Sequence, residues 1–564
     1  MNFNFTFLLE KLYTLGFKIF TPNGFEYSSS QIKEYMSNTN FTFSASFSLV
    51  IILFLINKLF INKSSKLLNI LISIFLTIAS VTKIYLSYDQ IYKFNQDMVV
   101  WVVSAIRMEK LKTFEYLASW DNKGSAIHWM YYSIYKFINF SENIWTNFVI
   151  VIILWSLLIV LFSFLFINKQ SNNRALSVCV SSLLLLNLLF TPGGYGYPSF
   201  DPRFIGSSFI FFAIFNYLNR QYILGSTLLA FTILFLPTFL ITIAPIVFYT
   251  IISLPIIQRK KIFEIVSPFF VVITFYIFYL IHTEQLFEYY DLVINFNFNL
   301  LGIGSTYPII FVIQNNFYLL VFFVINIIGF SSLNKKFDKY FNLIFIWSTF
   351  SVIHLVITGP RFLQYDQLLT IPLSLMGFYS YYFINQKIND IKKVKSYLKI
   401  ILFLSLIIPI NLLSQSISTS LELNRFDYDE QNRSLLDYYH EAIPKLNKQN
   451  LEFGIVFTNG HEWQSIMSKY NVVPSSRAWH IIWHKRDFGW MKEYNFDGIA
   501  SNIKLNEILY SDYNLENPEI AIIQKDYKSS YNNYLYDYVL NHFTLQNCNS
   551  VVCIYKNNIY LNDE

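Results

Sequence analysis

Residues 146–167 read TNFVIVIILWSLLIVLFSFLFI and carry no charged side chain. A helix needs roughly 20 apolar residues to cross the hydrocarbon core of a bilayer, and this run is long enough. Lipid offers no hydrogen bonds to the backbone, so such a segment must satisfy its own N–H and C=O groups as a helix. Runs of the same kind recur at about 45–61, 67–87, 175–191, 204–218, 222–237, 239–257, 262–281, 308–330, 340–358, 367–385 and 397–414. Several are shorter than a full span. Residues 5–20 add either one more span or an amphipathic helix lying in the interface, and we count about 12–13 transmembrane helices. The first apolar run is interrupted by Glu10 and Lys11, and no small-residue cleavage site follows, so it does not read as a cleavable signal peptide.

Composition agrees with that reading. Of the 564 residues, 54% are hydrophobic, 19% aromatic and only 14% charged, and the mean hydropathy is +0.39. A soluble surface needs more charge than this. The net charge of +6 fits basic cytoplasmic loops better than a nucleic-acid surface. Basic residues fall in alternate connections: Lys63 and Lys66; Lys169 and Arg174; Arg220; Arg259, Lys260 and Lys261; Lys335, Lys336 and Lys339; Lys387, Lys392, Lys393 and Lys395. With these inside, Pro237 marks an outer turn, and the outward set is 88–145, 192–203, 282–307, 359–366 and everything after about 415. The expected location is a bacterial inner (plasma) membrane.

Two domains follow. Residues 1–414 form the multi-helix membrane part, with 88–145 as its first outer loop. Residues 415–564 are rich in Asn, Tyr, Asp and Glu, contain no spanning run, and form a small extracytoplasmic α/β domain. There LEFGIVFT (451–458) and EIAIIQ (519–524) read as buried strands, Tyr531–Leu540 as a helix, and FTLQ (543–546) with VVCIY (551–555) as a closing strand pair. Three cysteines exclude a cysteine-rich metal cluster. Cys179 reads as a packing residue. Cys548 and Cys553 read equally as a disulfide or as two free thiols. The glycines of the tail have no nucleotide-binding spacing.

The polar residues of the outer loops are the candidates for chemistry, because charge beside a bilayer is costly and usually functional. Asp97 precedes an amphipathic segment containing Trp101, Ala105 and Met108; it is either a helix N-terminal acid or a general base. WDNKGS (120–125) places Asp121, Asn122 and Lys123 before Gly124, a point where the chain can turn, and an apolar helix with His128 follows. The group suits an anionic headgroup, with Lys123 as a point charge, and reads equally as a solvated helix cap. In GYGYPSFDPRF (194–204), Asp201 reads as a cap and Arg203 as a phosphate contact or as an arginine snorkelling to lipid headgroups. TGPRFLQYDQ (358–367) offers Arg361 and Asp366. His282, Glu284, Glu288 and Asp291 match no metal spacing, and His480 and His484 lack the glutamate of a zinc-protease helix.

An acid soon after an early membrane helix, then WDNKGS and an apolar helix, resembles the first outer loop of C-type membrane glycosyltransferases (the GT-C superfamily). More narrowly it is similar to bacterial mannosyltransferase and aminoarabinose-transferase types. FDPRF, LPTFLITIAP (236–245), the many-helix layout and the outer tail extend the resemblance. The departures are Met98 where relatives carry a second acid, and Gly124-Ser125 where they carry Pro-Pro. The resemblance implies transfer of a sugar from a polyprenyl-phosphate-linked donor to a glycan, lipid or protein acceptor at the outer face. It implies Asp97 as general base, Lys123 at the donor phosphate with Asp121 positioning it, His128 nearby, and Arg203 and Arg361 as further substrate contacts. No cofactor and no nucleic acid are implied; a divalent metal stays open. The other readings are a surface-polysaccharide polymerase or ligase, a transporter, and a non-catalytic membrane scaffold.

Overall fold

The computed structural model describes residues 96–141, 144–171, 201–295, 338–358, 367–376, 452–457, 472–476, 511–525, 532–550 and 552–560, together with a few isolated positions between them. These residues are mostly helical and divide into two compact units. The helices are α1 (Gln96–Leu111), α2 (Glu115–Ala118), α3 (Ser125–Phe137), α4 (Ile144–Ser171), α5 (Pro202–Leu218) and α6 (Tyr222–Phe235). They continue with α7 (Leu240–Ile252), α8 (Lys261–His282), α9 (Leu286–Tyr289), α10 (Asp338–Thr358), α11 (Gln367–Met376) and α12 (Asn532–His542).

The first unit holds residues 152–274 and 300–423 together with 1–85. Among the described residues of the whole chain, three helical stretches are long and apolar enough to cross a membrane: Ile150–Ser171, Lys261–His282 and Tyr340–Thr358. Their outward side chains are apolar: Leu161 on α4, Phe263, Phe270 and Phe275 on α8, and Val356 and Ile357 on α10 are all exposed. A soluble protein would not tolerate so much exposed apolar surface, and lipid covers it without cost. The expected spans at 45–61, 67–87, 308–330 and 397–414 lie outside the described residues.

The α5–α6 hairpin shows how the short helices pack. Asp201 caps α5, its Oδ1 accepting the Arg203 N–H at 2.7 Å, with Pro202 in the first turn as expected. The helix ends in a tight reversal: the Gln221 N–H donates to the Asn216 carbonyl at 2.9 Å, and Arg220 takes φ 64. That is the left-handed position glycine usually fills. Gly206 faces the Phe239 ring so closely that a Cβ there would lie 2.3 Å from a ring carbon. The break between α6 and α7 falls at Pro237, which opens a single turn, Pro237–Phe239, before α7 begins.

The second unit combines residues 86–151, 275–299 and 424–564. Its core is a five-stranded sheet in the order β2-β1-β3-β5-β4, built from β1 (Glu452–Phe457), β2 (Val472–Pro474), β3 (Ile520–Gln524), β4 (Phe543–Cys548) and β5 (Val552–Asn557). β1 pairs parallel with β2 and β3, while β5 runs antiparallel to β3 and β4. The four strands and the helix read from the tail are thus present, α12 lying over Asn532–His542. The strand missed is β2: three residues ending in Pro474 carry no alternation, and a proline is tolerated there because β2 is an edge. Gly454 lets its neighbours close in, since a Cβ there would meet Val472 at 2.6 Å. Cys548 and Cys553 are opposite one another across β4 and β5 and form a disulfide, which decides between the two readings of that pair.

α1 departs from its amphipathic expectation. Every residue from Met98 to Met108 is buried, Arg107 included. One side of α1 packs on α3 and another reaches β2, so the stretch Met98–Met108, read as amphipathic, is covered all round.

Candidate functional site

The WDNKGS segment is a folded, largely buried connection. Trp120 and Lys123 are both buried, and Gly124 serves as the N-cap residue of α3 with φ −72. The glycine's left-handed freedom is therefore not used, contrary to the tight turn anticipated there. Its extended backbone lets Ser125 start the helix.

Asp121 is the hub. Its Oδ2 accepts the Trp101 indole N–H at 2.6 Å and its Oδ1 the backbone N–H of Asn122 at 2.7 Å. His128 Nε2 lies 3.4 Å from Oδ2. That is ion-pair range but not hydrogen-bond alignment, for Nε2 makes no hydrogen bond in its buried setting. The other ring nitrogen, Nδ1, is 2.9 Å from Ser104 Oγ. Trp101 and Ser104 stand one turn apart on α1, and His128 is in the first turn of α3, so the carboxylate ties the two helices together. Burial pushes the Asp121 carboxyl up, but His128, the charge of Lys123 and the Trp101 donor outweigh it and hold the group below the usual carboxylate range.

Lys123 follows. Its ammonium is buried and donates to Asn122 Oδ1 at 2.5 Å. Among the described residues it has no ion pair within 4 Å, so Asp121 reaches it through Asn122: one carboxylate oxygen fixes the Asn122 backbone, and the Asn122 amide holds the cation. The Tyr116 hydroxyl donates to the Lys123 carbonyl at 2.7 Å. Burial first, and then neighbouring tyrosines and Glu115, raise that hydroxyl well above its ordinary pKa, so it remains a neutral donor. An ammonium has three donors, and among the described residues Lys123 has one acceptor, Asn122 Oδ1.

Arg107 closes the far side of α1. Its guanidinium donates to both Glu516 oxygens, at 2.7 and 2.6 Å, to the Ala118 carbonyl at 2.5 Å and to the Pro474 carbonyl. The pair is fully desolvated, at 0% and 6% side-chain exposure. Phe453 of β1 lies under the guanidinium. One side chain thus ties the loop segment to β1, β2 and the helical residues 511–516.

Of the residues singled out from sequence, Asp121, Lys123 and His128 come together in the second unit. Asp97 belongs to the first turn of α1, four residues before Trp101, and its side chain lies outside the described residues, as do Arg361 and Asp366. Arg203 belongs to the first unit, where it is buried and its Nη1 lies 3.3 Å from Asp201 Oδ2. Near the Pro237 break of the same unit, His354 sits with Nε2 2.9 Å from Thr238 Oγ1 and Nδ1 3.2 Å from Thr242 Oγ1. Among the described residues no group of three or more His, Cys, Asp or Glu could hold a metal ion.

Sequence reasoning missed Ser104, Arg107, Glu115, Tyr116, Tyr279, Gln285 and Glu516. The available signal for Arg107 and Glu115 was a charged residue inside or beside an otherwise apolar helix. Nothing local announced their partners. Comparison of the chain with protein-family models and with curated proteins gave no match.

Proposed function

We propose that the chain is a polytopic membrane glycosyltransferase of the C-type layout, moving a sugar from a polyprenyl-phosphate carrier to a glycan, lipid or protein acceptor at the outer face. The observation that carries this reading is Lys123: a buried lysine with one amide acceptor among the described residues, backed by an ionised Asp121 that Trp101 and His128 hold in place. A cation kept at low solvation with donors to spare is suited to an anion, and a glycosyl phosphate gains negative charge on its leaving oxygen as the bond breaks.

In the proposed reaction the acceptor hydroxyl attacks the anomeric carbon and its proton passes to Asp97 as general base. The anomeric C–O bond to phosphate breaks, and the polyprenyl phosphate leaves with the electron pair beside Lys123. The displacement inverts the anomeric centre. Arg203 and Arg361 remain proposed contacts to the donor or acceptor.

The orientation has its own support. Of the five stretches that the Lys/Arg distribution puts outside, three are the first loop, the segment after α8 and the tail, while 192–203 and 359–366 fall in the first unit. Residues of all three fall in the second unit, and that unit carries the Cys548–Cys553 disulfide, a bond that persists in oxidising compartments. The test is transfer of labelled sugar from a synthetic polyprenyl-phosphate donor by membranes containing the protein. Lys123→Ala and Asp97→Asn each abolish transfer at unchanged protein level; full activity in both refutes the assignment.

A further inference from the structure

We infer that Glu115, Tyr279 and Trp129 form a hydroxyl-binding subsite for a pyranose ring, an inference that rests on the glycosyl-transfer reading and adds a sugar position to it. Glu115 is fully buried. Its Oε2 accepts the Tyr279 hydroxyl at 2.7 Å, and its Oε1 has no hydrogen-bond partner. A buried carboxyl oxygen left without a donor is costly, so the position calls for a donor from outside the described residues.

The surroundings say which donor. Tyr279 stands edge-on to Trp129, with centroids 5.2 Å apart, and to Phe114 at 6.0 Å. Trp129 also meets Tyr276 at 5.9 Å. Trp129 and Tyr279 are half-buried and Phe114 is exposed, whereas Glu115 is sealed. A deep acceptor among aromatic rings that are themselves partly open suits a ligand with apolar C–H faces and hydroxyl edges. The nearby polar groups are neutral: Ser125 Oγ and Tyr276 Oη, 2.8 Å apart, and the Gln285 amide, which accepts the Tyr116 N–H at 2.9 Å. They exchange hydrogen bonds with hydroxyls and add no further negative charge for a cation. The chain also links this subsite to the proposed phosphate position. Tyr116, the residue after Glu115, is the one whose hydroxyl holds the Lys123 carbonyl.

The experiment uses the full-length protein in lipid nanodiscs and saturation-transfer NMR. Its probes are D-glucose, D-mannose and D-galactose, with glycerol as an open-chain polyol and methylammonium as a cation. At least one pyranose saturates, glycerol and methylammonium do not, and Glu115→Gln and Trp129→Leu each weaken that binding about tenfold or more. Trp129 is half-exposed, so its variant keeps the question answerable if Glu115→Gln fails to fold. The inference is overturned if no pyranose saturates, if methylammonium is preferred, or if both variants bind like the parent. Parent-like binding in both variants, alongside transfer that depends on Lys123, sinks the subsite alone. Glu115-dependent pyranose binding alongside transfer indifferent to Lys123→Ala sinks the phosphate reading alone.

Discussion

Removing the Arg107–Glu516 pair tests whether the tail holds the loop in place. Taking one partner from a buried ion pair leaves a desolvated charge behind and costs about 3–5 kcal/mol. Glu516→Ala does this to Arg107, whose side chain has no exposure through which water could replace the carboxylate. Arg107→Ala takes the guanidinium from Glu516 and also removes the donor from the Ala118 and Pro474 carbonyls. Each buried acceptor left unmet adds about 1–3 kcal/mol, so Arg107→Ala is the more damaging of the two. The double variant Arg107→Met with Glu516→Leu leaves no stranded charge, and well-packed apolar replacements of such pairs are often neutral. It therefore recovers most of the loss and retains only the deficit of the two carbonyls. For a unit of this size each kcal/mol moves the midpoint by about 2–4 °C, so Glu516→Ala lowers it by roughly 6–20 °C and Arg107→Ala by more. The assay is thermal unfolding of purified protein at one scan rate, since unfolding of a chain this long is commonly irreversible, with limited proteolysis to detect release of the tail. Shifts below about 2 °C in both single variants, or a double variant whose loss equals their sum, refute the lock.

Asp121→Asn removes a carboxylate whose folded pKa lies below its ordinary value of 3.8. A depressed acid contributes stability that is present above the unfolded pKa and lost as pH falls through the folded one. The parent's advantage over the variant in unfolding midpoint is therefore full at pH 6 and shrinks below pH 4; an advantage independent of pH contradicts the assignment. Gly206→Ala drives a Cβ to within 2.3 Å of the Phe239 ring and costs about 1–3 kcal/mol; Phe239→Leu in the same chain recovers part of the loss, and a neutral Gly206→Ala contradicts that packing. Arg220→Gly relieves a non-glycine residue at φ 64 and raises the unfolding midpoint by the equivalent of about 1 kcal/mol; a lower midpoint refutes the strain. Cys548 and Cys553 resist alkylation in protein purified without reductant and both label after reduction, as read by mass spectrometry; labelling beforehand refutes the bond.

What was legible in the sequence was whatever is encoded locally. The apolar run 146–167 announces a spanning helix because lipid leaves its backbone no alternative, and Asp201-Pro202 announces a helix start because both residues act within one turn. The strands at 451–458 and 519–524 could be read from short apolar runs between turn residues. Contacts distant in sequence could not. Arg107 and Glu516 are separated by 409 positions and Tyr116 and Gln285 by 169, and no local pattern pairs them. The same blindness made the segment with Trp101, Ala105 and Met108 look amphipathic, whereas Ser104 meets His128 and Arg107 meets the tail. β2 escaped because three residues are too few to show a period.

The site's electrostatics follow from that burial. A lysine as buried as Lys123 is expensive to keep charged unless something nearby restores what water supplied. A direct contact with Asp121 would do so most fully, but it would also neutralise the cation and leave little for a ligand. The arrangement places Asn122 between them: the amide satisfies one donor at 2.5 Å, while Asp121 acts from further off through its field. Asp121 can remain ionised in this role because Trp101, the Asn122 N–H and His128 attend to the carboxylate. Asp121→Asn therefore weakens Lys123 without touching it, whereas Asn122→Ala removes its only hydrogen-bond acceptor among the described residues. If Lys123 serves a phosphate, Asn122→Ala raises KM for the lipid-linked donor more than it lowers kcat. A change in kcat alone would place the Lys123 contact in the transition state rather than on the ground-state phosphate, and no change in either constant would leave it a purely structural cation.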